Sequence, residues 1–173
     1  VGTLDNGGDA SGVAVREGMA YVADGVRGLQ VVDVRIPQSP RVLGVCDTPG
    51  QAVKVALSGS HAFVADRNSG LQILDISDPE RPRIVGSYDT PGVSVGVTVQ
   101  NNLLLVADES GGLLSFDITN PLKPIFQSSL QSGFAKCSAV AGPYAFLGDW
   151  SKGLFMLNLS DPKLPWTMKN WRG

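Results

Sequence analysis

The chain has 173 residues, 43% of them apolar and 17% charged, with 14 Lys and Arg against 16 Asp and Glu for a formal net charge of −2. That length fits one domain, and the apolar fraction with so small a net charge excludes a disordered chain. The balance of charge also leaves no broad basic footprint, so no nucleic-acid partner is expected.

From the start of the chain the same elements keep returning. Residues 1–5 align with 43–47, and residues 20–24 read Ala-Tyr-Val-Ala-Asp. The latter segment returns as Ala-Phe-Val-Ala-Asp at 62–66, Leu-Leu-Val-Ala-Asp at 104–108 and Ala-Phe-Leu-Gly-Asp at 145–149. The spacing is about 42 residues, the length of one repeat in an array of small β units. Gly28-Leu29 returns at Gly70-Leu71, Gly112-Leu113 and Gly153-Leu154. Two prolines follow each time: Pro37 and Pro40, Pro79 and Pro82, Pro121 and Pro124, Pro162 and Pro165. Four repeats, at about 1–41, 42–83, 84–124 and 125–166, cover the chain as a single domain or a fragment of a longer one.

Each repeat predicts four short strands. In the second they are 42–46, 53–57, 61–66 and 71–76, rich in β-branched and apolar residues and bounded by Gly, Pro, Asn, Asp and Ser. No long segment carries a 3.6-residue apolar period, so almost no helix is expected. The strand 71–76 reads Leu-Gln-Ile-Leu-Asp-Ile, apolar on both alternating sides, as in a sheet covered on both faces. Four-stranded units of this length, stacked face to face, make a β-propeller. The fold class predicted is all-β: four blades of about 42 residues, closing as a four-bladed ring or forming part of a larger propeller.

The third-strand motif reads Leu-Gln-Val-Val-Asp at 29–33, Leu-Gln-Ile-Leu-Asp at 71–75, Leu-Leu-Ser-Phe-Asp at 113–117 and Leu-Phe-Met-Leu-Asn at 154–158. Asp-Thr-Pro-Gly follows at 47–50 and 89–92. In these motifs the chain resembles the LVIVD-repeat family of bacterial and archaeal proteins, itself similar in pattern to YVTN and WD propellers. The fourth copy departs most: Asn158 stands for the aspartate, and Gln131-Ser132-Gly133 replaces Asp-Thr-Pro-Gly. The resemblance implies innermost strands at 10–15, 52–57, 94–99 and 135–140, with small residues at the crowded axis. It also implies an extracellular, periplasmic or cell-surface location and no assigned biochemical role. Val1 in place of Met marks the chain as a processed product or a piece of a longer one.

Function is less legible. Asp24, Asp66, Asp108 and Asp149 end the second strands, and Asp66-Arg67-Asn68-Ser69-Gly70 overlaps weakly with calcium loops. Calcium takes six to eight oxygens, and no loop offers a second acidic residue at the right spacing except Asp108-Glu109. The four aspartates are therefore expected to bond turn amides before the glycine. Asp33, Asp75 and Asp117, ahead of the proline loops, also read as structural. His61, the single histidine, aligns with Met19, Leu103 and Tyr144, a packing slot. No catalytic set, metal site or cofactor is predicted. Cys46 and Cys137 fall on an outermost and an innermost strand of different blades, so both are expected as free thiols.

Positions that break an internal repeat are free to serve function. The fourth copy breaks it at Phe134, Lys136, Trp150 and Lys152, with Arg67 and Arg27 on equivalent loops of other blades. These six form the predicted ligand-binding set, and an aromatic beside a cation suits a platform for a protein, small-molecule or glycan ligand. The expected function is a non-catalytic binding or interaction scaffold. The alternative is a propeller enzyme, a hydrolase or lyase acting on a glycan or exported metabolite. No run approaches the ~20 apolar residues of a membrane-spanning helix. Both ends carry an outer-strand segment, so self-association through the end blades is a further expectation.

Overall fold

In the computed structural model, residues 2–5, 7–160 and 170–171 are described, the last two by backbone alone. Four antiparallel four-stranded sheets follow one another along the chain. The first blade holds β1 (Gly12–Arg16), β2 (Met19–Ala23), β3 (Leu29–Asp33) and β4 (Arg41–Cys46). The second holds β5 (Lys54–Ser58), β6 (His61–Ala65), β7 (Leu71–Asp75) and β8 (Arg83–Tyr88). The third holds β9 (Gly96–Gln100), β10 (Leu103–Ala107), β11 (Leu113–Asp117) and β12 (Ile125–Leu130). The fourth holds β13 (Ala135–Ala141), β14 (Tyr144–Asp149), β15 (Gly153–Asn158) and β16 (Asn170–Trp171). Within each blade the strands pair in chain order, as a β-propeller requires. The segment 161–169, which contains most of the terminal stretch 166–171 aligned with 125–130, lies outside the described residues.

The innermost strands begin two residues later than the sequence suggests in the first three blades. Ala52 and Ser94 instead bridge the blades: Ala52 exchanges two backbone hydrogen bonds with Gly25, and Ser94 does so with Arg67. Ala135, the first residue of β13, makes the same exchange with Glu109. Each seam is thus crossed by a single isolated β-bridge between two otherwise separate sheets.

Leucines and valines alternate onto both blade faces, and each seam encloses its own apolar cluster. Between the first and second blades lie Tyr21, Leu29 and Val31 against Val55, Val64 and Leu74. Between the second and third lie Phe63, Leu71 and Ile73 against Val97, Leu104 and Phe116. Between the third and fourth lie Leu105 and Leu113 against Ala145, Leu147 and Leu157. The inner strands pack in series, β1 on β5, β5 on β9 and β9 on β13. Among the described residues, no comparable packing joins β13 back to β1.

Tight joints need glycine where strands β3, β7 and β11 begin. Gly28, Gly70 and Gly112 have φ of 72°, 67° and 80°. A Cβ there would lie 2.3, 2.4 and 2.1 Å from the carbonyl oxygens of Cys46, Tyr88 and Leu130. Both the left-handed backbone and the close approach exclude other residues. The outermost pairing shifts register in three blades, at Val31/Val32, Ile73/Leu74 and Ser115/Phe116. Such bulges twist an edge and spoil it as a template for further pairing.

Phe116 is fully buried, with the Tyr88 ring 4.7 Å away and the Phe126 ring 5.8 Å away, both edge-on. Truncating such a ring loses its burial and leaves a cavity. Phe116→Ala is expected to cost about 3–5 kcal/mol in chemical denaturation. A loss below about 1 kcal/mol would contradict this packing.

Candidate functional site

One face of the array gathers the loops after β2, β6, β10 and β14 with the connections between blades. The carboxylates that build this face are buried. The Asp66 carboxylate accepts from the Thr48 hydroxyl at 2.7 Å and the Gly50 amide at 2.8 Å. Asp108 accepts from the Thr90 hydroxyl at 2.6 Å, the Gly92 amide at 2.6 Å and the Ser94 hydroxyl at 2.9 Å. The aspartates were expected to bond the turn that follows them. In these two blades they instead hold the Thr-Pro-Gly connection arriving from the blade before.

Asp149 is the exception that fits the expected pattern. Its connection has lost Asp-Thr-Pro-Gly, and the carboxylate turns to the Ser151 and Lys152 amides, each at 2.8 Å, and the Ser151 hydroxyl. It also accepts from the Phe134 amide at 2.8 Å. Asp24 accepts from the Gln30 side-chain amide at 2.5 Å.

The different partners shift these acids in opposite directions. Burial pushes the Asp66 carboxyl above its ordinary value, against the pull of Thr48 and Gly50. Burial also acts on Asp149, but the hydroxyls of Ser132 and Ser151 and the amides of Lys152 and Ser151 outweigh it, and its value is lowered. On the opposite rim, the Arg35 guanidinium and amide hold Asp33 well below the usual carboxylate range. Ser77 and then Arg83 do so for Asp75, and Thr119 lowers Asp117. These acids serve as local braces, consistent with their structural reading.

Of the six predicted site residues, the structure joins some and separates others. Trp150 is 80% exposed at the head of the loop after β14. Its backbone N–H donates to the Phe134 carbonyl at 3.0 Å, and Phe134 is itself exposed. Lys136 Nζ lies 5.4 Å from the centre of the Trp150 ring and 2.5 Å from Glu109 Oε1. A cation over an indole face is attracted by the ring quadrupole. Arg67 and Glu109 line a cleft of about 470 Å³, together with Asn68, Gln51, Val26 and Val93. Trp150, Lys136, Glu109 and Arg67 thus form a continuous track from the fourth blade to the second.

Arg27 stands apart. Its guanidinium packs beside Gly7, where a Cβ would be 3.0 Å away. Lys152 contributes its backbone amide to Asp149, and nothing places its side chain on the track. Glu109, which the sequence offers only as a second acid beside Asp108, is absent from the predicted ligand-binding set, although Gly25 at the equivalent position is a signal for a left-handed backbone. Arg67 and Glu109 adopt that conformation with φ of 49° and 41°, uncommon for residues with a side chain. Among the described residues no group of three or more His, Cys, Asp and Glu could hold a metal ion. Cys46 and Cys137 are free thiols. Among the described residues no helix is long and apolar enough to cross a membrane.

A family model described as the LVIVD repeat matches residues 7–48, 49–90, 91–131 and 132–171. No curated protein matches the chain. Among solved structures, it is similar to the computationally designed Ika4 protein at 8% identity, TM-score 0.72, covering 90% of this chain and 94% of that one. It is similar to the computationally designed Ika8 protein at 8% identity, TM-score 0.69, covering 88% and 46%. It is also similar to BamB from Moraxella catarrhalis at 15% identity, TM-score 0.65, covering 87% and 47%. The likeness to all three is one of fold. The chain spans just under half the length of Ika8 and BamB.

Two measurements test this site. In a carboxyl NMR titration, Asp66 should protonate at higher pH than Asp149, and the reverse order contradicts the bonding described. The stability effects run opposite ways. Asp149, lowered in the fold, stabilises above the ordinary value of about 3.9, and that contribution is lost as pH falls below it. Asp66, raised in the fold, becomes less costly as the pH falls through its own range. Separately, Thr90→Val removes a donor to a buried carboxylate and should cost about 1–3 kcal/mol. Thr119→Val, on an exposed brace, should cost less than about 1 kcal/mol in the same denaturation experiment.

Proposed function

The chain belongs to the LVIVD repeat family, and on that footing we propose that it is a non-catalytic binding propeller whose ligand lies on the track from Trp150 to Arg67. The exposure of Trp150 carries this reading. A large indole at 80% exposure covers no apolar core, so packing does not account for it. It stands where the fourth copy departs from the other three, and Lys136 links it to Glu109 on the wall of the cleft that Arg67, Asn68 and Gln51 also line.

The arrangement suits recognition rather than bond-breaking. Lys136 is tied to Glu109, so the pair offers a donor and an acceptor of fixed position. Trp150 adds a flat apolar surface with one polar handle. A ligand with a ring or chain to stack and hydroxyl or amide groups to hydrogen-bond, such as a glycan or peptide segment, matches that set.

A thermal-shift screen of oligosaccharides and peptides is expected to give a ligand that raises Tm. Trp150→Ala should abolish that rise while leaving the Tm of the free protein within about 2 °C, as befits an exposed position. A rise that survives the substitution, or a substitution that unfolds the chain, would return Trp150 to a structural role.

A further inference from the structure

The rim opposite the Trp150 loop carries the aspartates that end the third strands. In the first two blades the following turn and the outer strand divide each carboxylate between them. Asp33 Oδ1 accepts from the Arg35 amide at 3.1 Å, and Oδ2 accepts from Arg35 Nη2 at 2.7 Å and Arg41 Nη2 at 3.4 Å. Asp75 Oδ1 accepts from the Ser77 amide at 3.0 Å, and Oδ2 accepts from Arg83 Nη2 at 2.8 Å. Asp117 keeps only the first half of this pattern. Its Oδ1 accepts from the Thr119 amide at 2.7 Å and the Thr119 hydroxyl at 2.6 Å, and among the described residues no donor reaches Oδ2.

The repeat shows what is missing. Arg41 and Arg83 are the cross-strand neighbours of Asp33 and Asp75, and Ile125 holds that position beside Asp117. Thr119 stands where the first blade has Arg35. Arg16 donates to the Gly59 carbonyl across the first seam, and Gln100 replaces it in the third blade. The arginines that occupy this rim in the first two blades thus have no counterpart in the third.

A cleft of about 370 Å³ lies there instead, between the third and fourth blades. Asp117 lines it with Gln100, Asn101, Asn102 and Gln127, four residues that carry side-chain amides, and the hairpin of Gly142 and Pro143 faces them. Gln127 is itself a departure from the repeat. It occupies the bulge of β12, between Phe126 and Ser128, where the first two blades have Leu43 and Val85. Val85 packs against the apolar cluster of its seam. Gln127 Oε1 is buried, and among the described residues no donor reaches it. A buried acceptor without a donor is costly, and packing gives no reason for one here. One charged and one neutral acceptor of the same cleft therefore lack N–H partners.

We propose that this cleft binds a guanidinium group from outside the chain, which donates to Asp117 Oδ2 and to the amide carbonyls around it. The chemistry is that of Arg35, Arg41 and Arg83, supplied by a ligand where the sequence no longer supplies it. The Thr119 donors hold the Asp117 carboxyl below its ordinary value, so it is charged at neutral pH. A guanidinium offers a carboxylate a planar fork of donors, whereas an ammonium is a point charge with fewer. A neutral polyol brings no charge to Oδ2, and charge-assisted bonds are the stronger ones. The group belongs either to a small free molecule or to an arginine side chain of a peptide. The cleft lies on the rim away from Trp150, so this inference is independent of the binding track proposed above.

A two-dimensional NMR titration of the whole chain tests the site. Agmatine represents the free source, N-acetyl-arginine amide the peptide source, and N-acetyl-citrulline amide is the neutral isostere. At least one guanidinium probe should give saturable shifts at Asn101, Asn102 and the Gln127 side-chain amide, and the citrulline probe should give none. The tighter of the two guanidinium probes identifies the source. Asp117→Asn should weaken binding about tenfold or more. Its fold should survive, because Asn158 at the equivalent position accepts from the Ser160 amide and hydroxyl as Asp117 does from Thr119. Ile125→Arg gives Asp117 the partner that Asp33 and Asp75 have, and should abolish the shifts without lowering Tm. Trp150→Ala should leave the affinity unchanged. The proposal is overturned if neither guanidinium probe saturates, if citrulline binds equally, or if the affinity survives Asp117→Asn or Ile125→Arg.

Discussion

The architecture depends on a buried carboxylate that reaches back to the connection before it. Asp66 and Asp108 hold the Thr and Gly of the incoming Asp-Thr-Pro-Gly segment at 2.6–2.8 Å. A buried carboxylate is costly unless several donors face it, and here they come from chain 14 to 18 residues upstream. The bond fixes where the second and third blades enter the array. The entry point in turn aligns the bridging residues and sets the register of the apolar faces. Seam packing and loop placement both follow from that alignment.

The fourth blade shows what happens when the connection changes. Without Thr-Pro-Gly, Asp149 takes donors from its own loop and from Phe134. The loop after β14 is then held by its own aspartate, and the free end of the hairpin carries Trp150 outward. One lost tetrapeptide accounts for both the altered carboxylate and the exposed indole. Lys136, on the same altered connection, reaches across the seam to Glu109 and ties the departure back to the regular blades.

Much of this was legible in the sequence for a physical reason. Strand content, blade number and the small residues at the axis all follow from a period that repeats side-chain size and turn chemistry together. The carboxylate partners were not legible. Asp before a glycine turn has an obvious local partner, and only the fold reveals that Thr48 and Thr90 lie nearer. Of the site, Trp150, Lys136 and Phe134 stood out because they break the repeat. Glu109 did not, since an acidic residue in a turn looks ordinary until its neighbour across the seam is known. Arg27 shared a loop position with the others but lies in the first blade, turned towards Gly7. Equivalent positions in successive blades share a face without sharing a neighbourhood.

The offset between sequence repeat and sheet has a genetic consequence. The segment from Asp47 to Gly50 leaves the outer edge of one blade and is gripped by the next, so every repeat contributes to two sheets. Recombination between any two copies at the same phase would insert or remove a whole blade and leave each surviving seam with its carboxylate and its bridge. Seam chemistry is therefore blind to copy number. Only closure counts blades, because the turn per blade is fixed while the number of blades is not. Such an exchange would change the total turn of the array while leaving the chemistry of the individual regular junction as it was.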